Sequence, residues 1–185
     1  MLTATTVTTE KELGQIHQLN QQSLRQNLDE KEKKQEGFVT WLYSMELLRQ
    51  MHELEPSIIV KDKNEVIAYA LVTPREAGVF HHDLKTMVDN LQTLSYNDKP
   101  LNDYSWYVMG QVCIDKFYRG KGVFNMLYQK HKELYGHKYD LLVTEISVHN
   151  PRSLRAHEKV GFKIIHTYHD ALDEWAVVVW DWRAE

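Results

Sequence analysis

Apolar residues recur along the chain in two periods, every second position or every third and fourth, and the switches between them divide it into strands and helices. Leu2 to Thr8 is rich in threonine and valine and predicts a first strand, at the edge of a sheet. Thr9-Glu10-Lys11-Glu12 has the Thr-x-x-Glu spacing of a capping box, and Leu13, Ile16 and Leu19 follow on one helical face. Asp29-Glu30-Lys31-Glu32 gives a similar start to a charged stretch that breaks near Gly37. Trp41, Leu42, Met45 and Leu48 mark one face of a further helix that Pro56 stops. Ser57 to Lys61 and Val66 to Thr73 read as strands joined by the turn Asp62 to Glu65. The second of these is apolar on both faces, the pattern of a strand inside a sheet.

Residues 75–103 are long for a connection between strands. Leu84, Met87 and Leu91 fall at helical spacing within His81 to Leu94, so the insertion should carry its own helix, and Ser95 to Pro100 a loop. Tyr104 to Ile114 is the next strand, its aromatics Tyr104, Trp106 and Tyr107 serving as sheet packing. It contains Gly110, which in a strand marks a bulge or a close backbone approach. A helix opening around Arg119-Gly120-Lys121-Gly122 turns Val123, Leu127 and Leu134 inward and ends at Gly136. Leu141 to Val148 is a strand, Asn150-Pro151 supplies the N-cap and first residue of a helix, and Gly161 closes it. Phe162 to Asp170 and Trp175 to Trp182 form a final strand pair. The order is βααββ(α)βαβαββ, without repeat or low-complexity tract, expected as one domain over residues 1–185.

Composition narrows the reading modestly. Hydrophobic residues make up 43% and charged ones 26%, as in an ordinary soluble domain, and a net charge of −4 carries no nucleic-acid footprint. One cysteine excludes an internal disulfide. Met1 to Thr9 lacks the basic flank and apolar core of a secretory signal, and no apolar run approaches the roughly 20 residues that span a bilayer, so the expected location is the cytoplasm, with no membrane partner.

The candidate chemistry begins where the strand ending Val112-Cys113-Ile114 meets the glycine-bearing helix start. N–H groups left unpaired at a helix end, the positive end of the helix dipole and glycines without Cβ atoms make a seat for phosphate oxygens. Arg119 and Lys121 add positive charge there. The glycine spacing fits neither a Walker A loop nor a dinucleotide fingerprint. Downstream, Glu145 precedes Asn150-Pro151-Arg152-Ser153-Leu154-Arg155-Ala156-His157-Glu158-Lys159-Val160-Gly161-Phe162.

Together the two stretches resemble the GNAT superfamily of acetyl-CoA-dependent N-acetyltransferases. Arg119-Gly120-Lys121-Gly122 is similar to that family's Gln/Arg-x-x-Gly-x-Gly/Ala pyrophosphate loop, and Asn150 to Phe162 to its Asn-x-x-Ala/Ser-x-x-x-Tyr-x-x-x-Gly-Phe signature. The likeness is strongest over residues 104–170 and only topological before them. It implies an α/β (α+β) fold: a mixed, mostly antiparallel twisted sheet of about seven strands with flanking helices, splayed between the fourth and fifth strands. It also implies acetyl-CoA as co-substrate, with the main chain of Val112, Cys113 and Ile114 along the pantetheine and the amides of Arg119, Gly120, Lys121, Gly122, Val123 and Phe124 on the pyrophosphate. Asn150 and Ser153 would complete the cofactor contacts. Phe124 departs from the pattern, which favours glycine or alanine.

His157 stands where many members carry a tyrosine that protonates the departing thiolate; as an alternative it is a half-buried helix histidine without a proton role. Glu145 has the spacing of a glutamate base in ribosomal-protein N-terminal acetyltransferases; as an alternative it bridges the splayed strands structurally. Cys113 is expected as a small buried residue, so transfer would be direct, to an amine in a ternary complex. His81-His82 and His166-x-x-His169 have no zinc spacing with cysteine partners, and no metal is expected. The acceptor is an amine of unread identity, a small molecule in preference to a protein. The first two helices and the loop between them would wall its site. The insertion would line that pocket, close over it or meet a second subunit, and a homodimer stays open. The competing reading is an acyl-CoA-binding or interaction protein that kept the fold and lost turnover.

Overall fold

A computed structural model describes residues 1–28 and 39–183 of the chain. Strand β1, Leu2–Thr6, pairs antiparallel with β2, Ile58–Asp62, and lies at the sheet edge as expected. Helix α1, Glu10–Gln22, starts at the capping box: Thr9 Oγ1 accepts the Glu12 N–H at 3.2 Å and Glu12 Oε2 accepts the Thr9 N–H at 3.1 Å.

Helix α2, Met45–Leu54, begins later than its apolar spacing suggests, at a Ser44 cap whose Oγ accepts the Leu47 N–H. Trp41 and Leu42 lie in a non-helical segment before it. The cause is Asn20, which α1 buries. Its Nδ2 donates to Trp41 C=O at 3.0 Å, and its Oδ1 accepts the Tyr43 N–H at 2.9 Å. A buried amide matched to two main-chain groups overrides a local periodicity. The charged start at Asp29 to Glu32 and the break at Gly37 fall outside the described residues.

Strand β3, Glu65–Thr73, follows a turn in which Lys63 takes φ 55°, and its buried residues run along both faces between β2 and the strand Trp106–Ile114. The insertion holds helix α3, His82–Gln92. The predicted loop is instead a short ribbon, β4 (Ser95–Tyr96) and β5 (Lys99–Pro100), turned by Asn97 and Asp98 at φ 49° and 61°. Two such residues in succession make a primed turn that matches strand twist. The remainder is β6 (Trp106–Ile114), α4 (Val123–Tyr135), β7 (Leu141–Ser147), α5 (Pro151–Val160), β8 (Lys163–His169) and β9 (Glu174–Asp181). Helix α4 thus begins after Gly122 rather than at Arg119. Among the described residues no helix is long and apolar enough to cross a membrane.

The sheet order is β1-β2-β3-β6-β7-β9-β8, antiparallel except for the β6–β7 pair. One face packs on α4 through Val123, Leu127 and Tyr128; the other takes Leu13 and Ile16 of α1, Leu47 and Met51 of α2, and Leu91 of α3. Strands β6 and β7 pair only at Trp106–Leu141, Tyr107–Leu142 and Val108–Val143, then part. These are the fourth and fifth strands in spatial order, so the expected splay is present.

The parting coincides with a bulge. The β3–β6 register moves from Ala70–Val112 to Val72–Met109, leaving Gly110 and Gln111 of β6 opposite Leu71. Gln111 is pinned by Tyr69 Oη at 2.6 Å and donates to Trp41 C=O at 2.8 Å. A Cβ at Gly110 would lie 2.5 Å from Thr73 Oγ1 and 2.8 Å from Tyr43 Oη, so only glycine fits. Gly110→Ala should therefore cost about 1–3 kcal/mol of stability, read as a lower urea midpoint at unchanged m-value. Thr73→Ala in the same chain should restore part of the loss.

Candidate active site

The gap between the parted strands opens into two cavities. One, of about 570 Å³, lies over the start of α4 and along α5; the other, of about 360 Å³, lies between the Val39 to Tyr43 segment, α3 and the β8–β9 turn. Val112, Asn150 and Ser153 line both, which makes their surroundings the point where contents of the two would meet.

The open edge of β6 is selective. Asp115 N–H donates to Ile67 C=O at 2.9 Å, and antiparallel partners alternate between bonded and unbonded pairs. Cys113 is therefore in the next bonded pair, with Tyr69, and its main chain faces β3. Val112 and Ile114 turn theirs to the gap, where Arg119 Nε donates to Ile114 C=O at 3.0 Å. Of the three residues expected along a pantetheine arm, the alternate two face it. The Cys113 side chain is 6% exposed, its Sγ 3.0 Å from Ser23 Oγ, and burial pushes its thiol pKa up.

The glycine loop has the shape that phosphate needs. Gly120 and Gly122 take left-handed φ of 73° and 78°, and a Cβ at either would meet no atom within 4 Å. Open space thus stands beside main chain that only glycine adopts readily. Helix α4 has no side-chain cap, and its first internal bond runs from Met126 N–H to Gly122 C=O. The N–H groups of Val123, Phe124 and Asn125 project from the helix end. Lys121 does not line the cavity; its ammonium lies 5.2 Å over the Tyr118 ring. Cationic lining comes instead from Arg119 and from Arg152, Arg155 and Lys159 of α5. Their spacing of three and four is a helix-face signal the sequence carried without its partner surface in view.

Asn150 keeps its capping role: Oδ1 accepts the Ser153 N–H at 3.2 Å. Phe124 packs on Tyr128 and edge-on to His157, at centroid distances of 4.7 and 5.0 Å, while still lining the larger cavity.

His157 is not a cationic acid. Its ring is 1% exposed, and Nδ1 lies 2.8 Å from Ser153 C=O, which only accepts, so Nδ1 carries the proton. Nε2 then accepts from Tyr128 Oη at 2.5 Å. Burial pushes its pKa down to about 4, with the Ser153 bond opposing. The one proton of this neutral ring is donated to Ser153 C=O, and the ring is fully rather than half buried.

Glu145 has the opposite character. It lines the smaller cavity, and burial pushes its carboxyl up to about 7 against a hydrogen bond from Tyr168, with the charge of Asp170 adding to the rise. Its Oε1 is buried without a hydrogen-bond partner among the described residues. A carboxylate poised near neutrality and facing a cavity suits proton abstraction. The sequence singled out Glu145 by spacing; its neighbours Trp41, Tyr43, Asp83, Tyr168 and Trp175 come from distant segments and carried no local signal. Helix α3, carried by the insertion, lines this cavity.

A family model described as the acetyltransferase (GNAT) family matches residues 15–162. The chain belongs to the GNAT acetyltransferase family. No curated protein matches its sequence. Among solved structures, the ribosomal-protein-S18-alanine N-acetyltransferase of Escherichia coli superposes with a TM-score of 0.64 at 12% identity, over 98% of this chain and 94% of that one. Ard1 from Thermoplasma volcanium gives 0.66 at 13% identity over 97% of each chain. The putative acetyltransferase yncA from Salmonella typhimurium, solved with its cofactor acetyl-CoA, gives 0.64 at 12% identity over 98% and 94%. At these identities the likeness is one of fold.

The His157 assignment is testable. A histidine whose folded pKa lies near 4, below about 6.5 unfolded, contributes stability that is complete above 6.5 and lost as pH falls toward 4. His157→Gln should flatten that part of the stability profile. In the wild type, the His157 ring resonances should not titrate between pH 5 and 8; a midpoint in that window would restore the cationic acid.

Proposed function

We propose that this protein transfers an acetyl group from acetyl-CoA to a small primary amine by direct attack within a ternary complex. The observation that carries the reading is the meeting of two unlike cavities at Val112, Asn150 and Ser153: a cationic one over a glycine-bearing helix start, and an anionic one holding Glu145. Acetyl-CoA would supply an activated acyl group. The N–H groups of Val123 and Phe124, the open space at Gly120 and Gly122, and the α5 cations would hold its phosphates. Val112 and Ile114 would align the arm along the edge of β6, with a gap-facing N–H available to the thioester oxygen. Glu145 would take the ammonium proton directly or through water, leaving the neutral amine as nucleophile. A thiolate is a stable enough leaving group to depart without an imidazolium donor, so a neutral His157 is compatible with turnover.

A second reading, acyl-CoA binding without turnover, draws on that same histidine where the family resemblance puts a tyrosine acid. Turnover of any amine removes it. Micromolar acetyl-CoA binding with no turnover across a broad amine panel would establish it.

Two variants test the first reading. Gly122→Glu should weaken acetyl-CoA binding by at least about 100-fold in calorimetry, since it replaces charge-assisted hydrogen bonds of about 1.5–3 kcal/mol each with repulsion. A folded variant that still binds at wild-type affinity would refute the phosphate seat. Glu145→Gln should lower kcat by about 10²–10⁴-fold and remove the rise of kcat/KM through an apparent pKa near 7. It should also stabilise the fold at alkaline pH. A carboxyl whose folded pKa is raised contributes stability fully present below its unfolded value and lost as pH rises to about 7, and glutamine escapes that loss.

A further inference from the structure

The smaller cavity carries more negative charge than one reacting amine can use. Among the described residues, its lining includes Asp83, Glu145 and Asp170 and no lysine or arginine, whereas that of the larger cavity includes Arg119, Arg152, Arg155 and Lys159 and no carboxylate. The three carboxylates arrive from separate elements: the first turn of α3, the middle of β7 and the turn between β8 and β9. The fold, and not a local acidic run, brings them to one space. Around them stand the rings of Trp41, Tyr43, Tyr168 and Trp175, with Trp41 and Tyr43 4.4 Å apart.

Each carboxylate has a different local commitment. Glu145 has a buried oxygen with no partner among the described residues, aimed at proton removal. Asp170 accepts main-chain N–H groups of Leu172 and Asp173 at 2.8 and 2.9 Å; although burial opposes it, these bonds help hold its carboxyl below the usual range, so it stays ionised at neutral pH. The Asp83 side chain is 69% exposed, with the His81 imidazole 3.8 Å away. The reacting nitrogen loses its charge when Glu145 takes its proton. The negative charge of Asp83 and Asp170 then still faces the space beside it, together with aromatic faces that attract cations.

We propose that the acceptor carries a second positive charge: it is a diamine or short polyamine whose distal ammonium is held by the remaining carboxylates and rings of this cavity. The proposal rests on the acetyl-transfer reading of the site. A volume of about 360 Å³ is at the small-ligand end of the range for binding cavities, and an aliphatic chain between two nitrogens would lie against the rings. An amino acid would bring a carboxylate into an acidic space and be disfavoured, and a monoamine would leave the surplus charge unmatched.

The test compares putrescine, butylamine and γ-aminobutyrate, which share one carbon chain and differ at the far end. Steady-state thiol release is measured with the full chain and acetyl-CoA, alongside calorimetry of acetyl-CoA binding. Putrescine should exceed butylamine in kcat/KM by at least about tenfold, the worth of one charge-assisted hydrogen bond, and γ-aminobutyrate should fall below both. Asp83→Asn, at an exposed position where folding is not at risk, should shrink the putrescine-to-butylamine ratio. Equal rates for putrescine and butylamine, a preference for γ-aminobutyrate or for a peptide N-terminus, or no turnover of putrescine by protein that acetylates another amine would each overturn the diamine proposal alone. Absence of acetyl-CoA binding would instead overturn the reading beneath it.

Discussion

Everything functional in this fold depends on two strands that stop pairing. Strands β6 and β7 form three parallel pairs and then separate, exposing main-chain groups inside a sheet whose other neighbours stay bonded. Such an edge is costly unless something holds it open and something else satisfies it. The bulge at Gly110 and Gln111 does the first. It bends β6 away while Tyr69 and Trp41 tie Gln111 from the α1–α2 side of the sheet. Thr144 Oγ1 of β7 donates to Met109 C=O at 2.8 Å just past the last pair and so satisfies one exposed acceptor. The groups beyond it, at Val112 and Ile114, are left facing the gap. A strand-like ligand is the physical complement of that edge.

Burial pushes the titratable groups near the gap toward their neutral forms. His131 accepts no net charge: it is buried, bonded to Tyr107 Oη at 2.7 Å, and its pKa falls to about 3. His157 is likewise neutral and bonded at both nitrogens. These two rings join α4 and α5 to the aromatic core of one sheet face and behave as polar packing. Glu145 is shifted the other way, its carboxyl raised to about 7. Its Oε1, like His131 Nε2, is buried without a hydrogen-bond partner among the described residues, which costs stability in the fold.

The parts of this structure legible in the sequence share one property: their determinants lie within a few residues of each other. The Thr9–Glu12 capping box, the Asn150 cap with Pro151 and the Gly120 and Gly122 turn are all set within a few residues. Of the two exceptions, the first has a distant cause and the second a local one. Trp41 and Leu42 have helical spacing, yet Asn20, some twenty residues earlier, holds their segment out of the helix. The loop expected before Pro100 closes as a ribbon because Tyr96 and Lys99 pair across a primed turn.

By itself, then, the sequence determined the order of elements, the phosphate-type loop and the candidates Glu145 and His157, because periodicity, caps and glycine conformations are local. Tertiary structure alone decided what surrounds those candidates. Whether His157 is an acid depends on Tyr128 and on burial; whether Glu145 is a base depends on a cavity assembled from β7, β8 and the β8–β9 turn. Protonation is set by solvation and by charges in space, and neither is written in the residues next door.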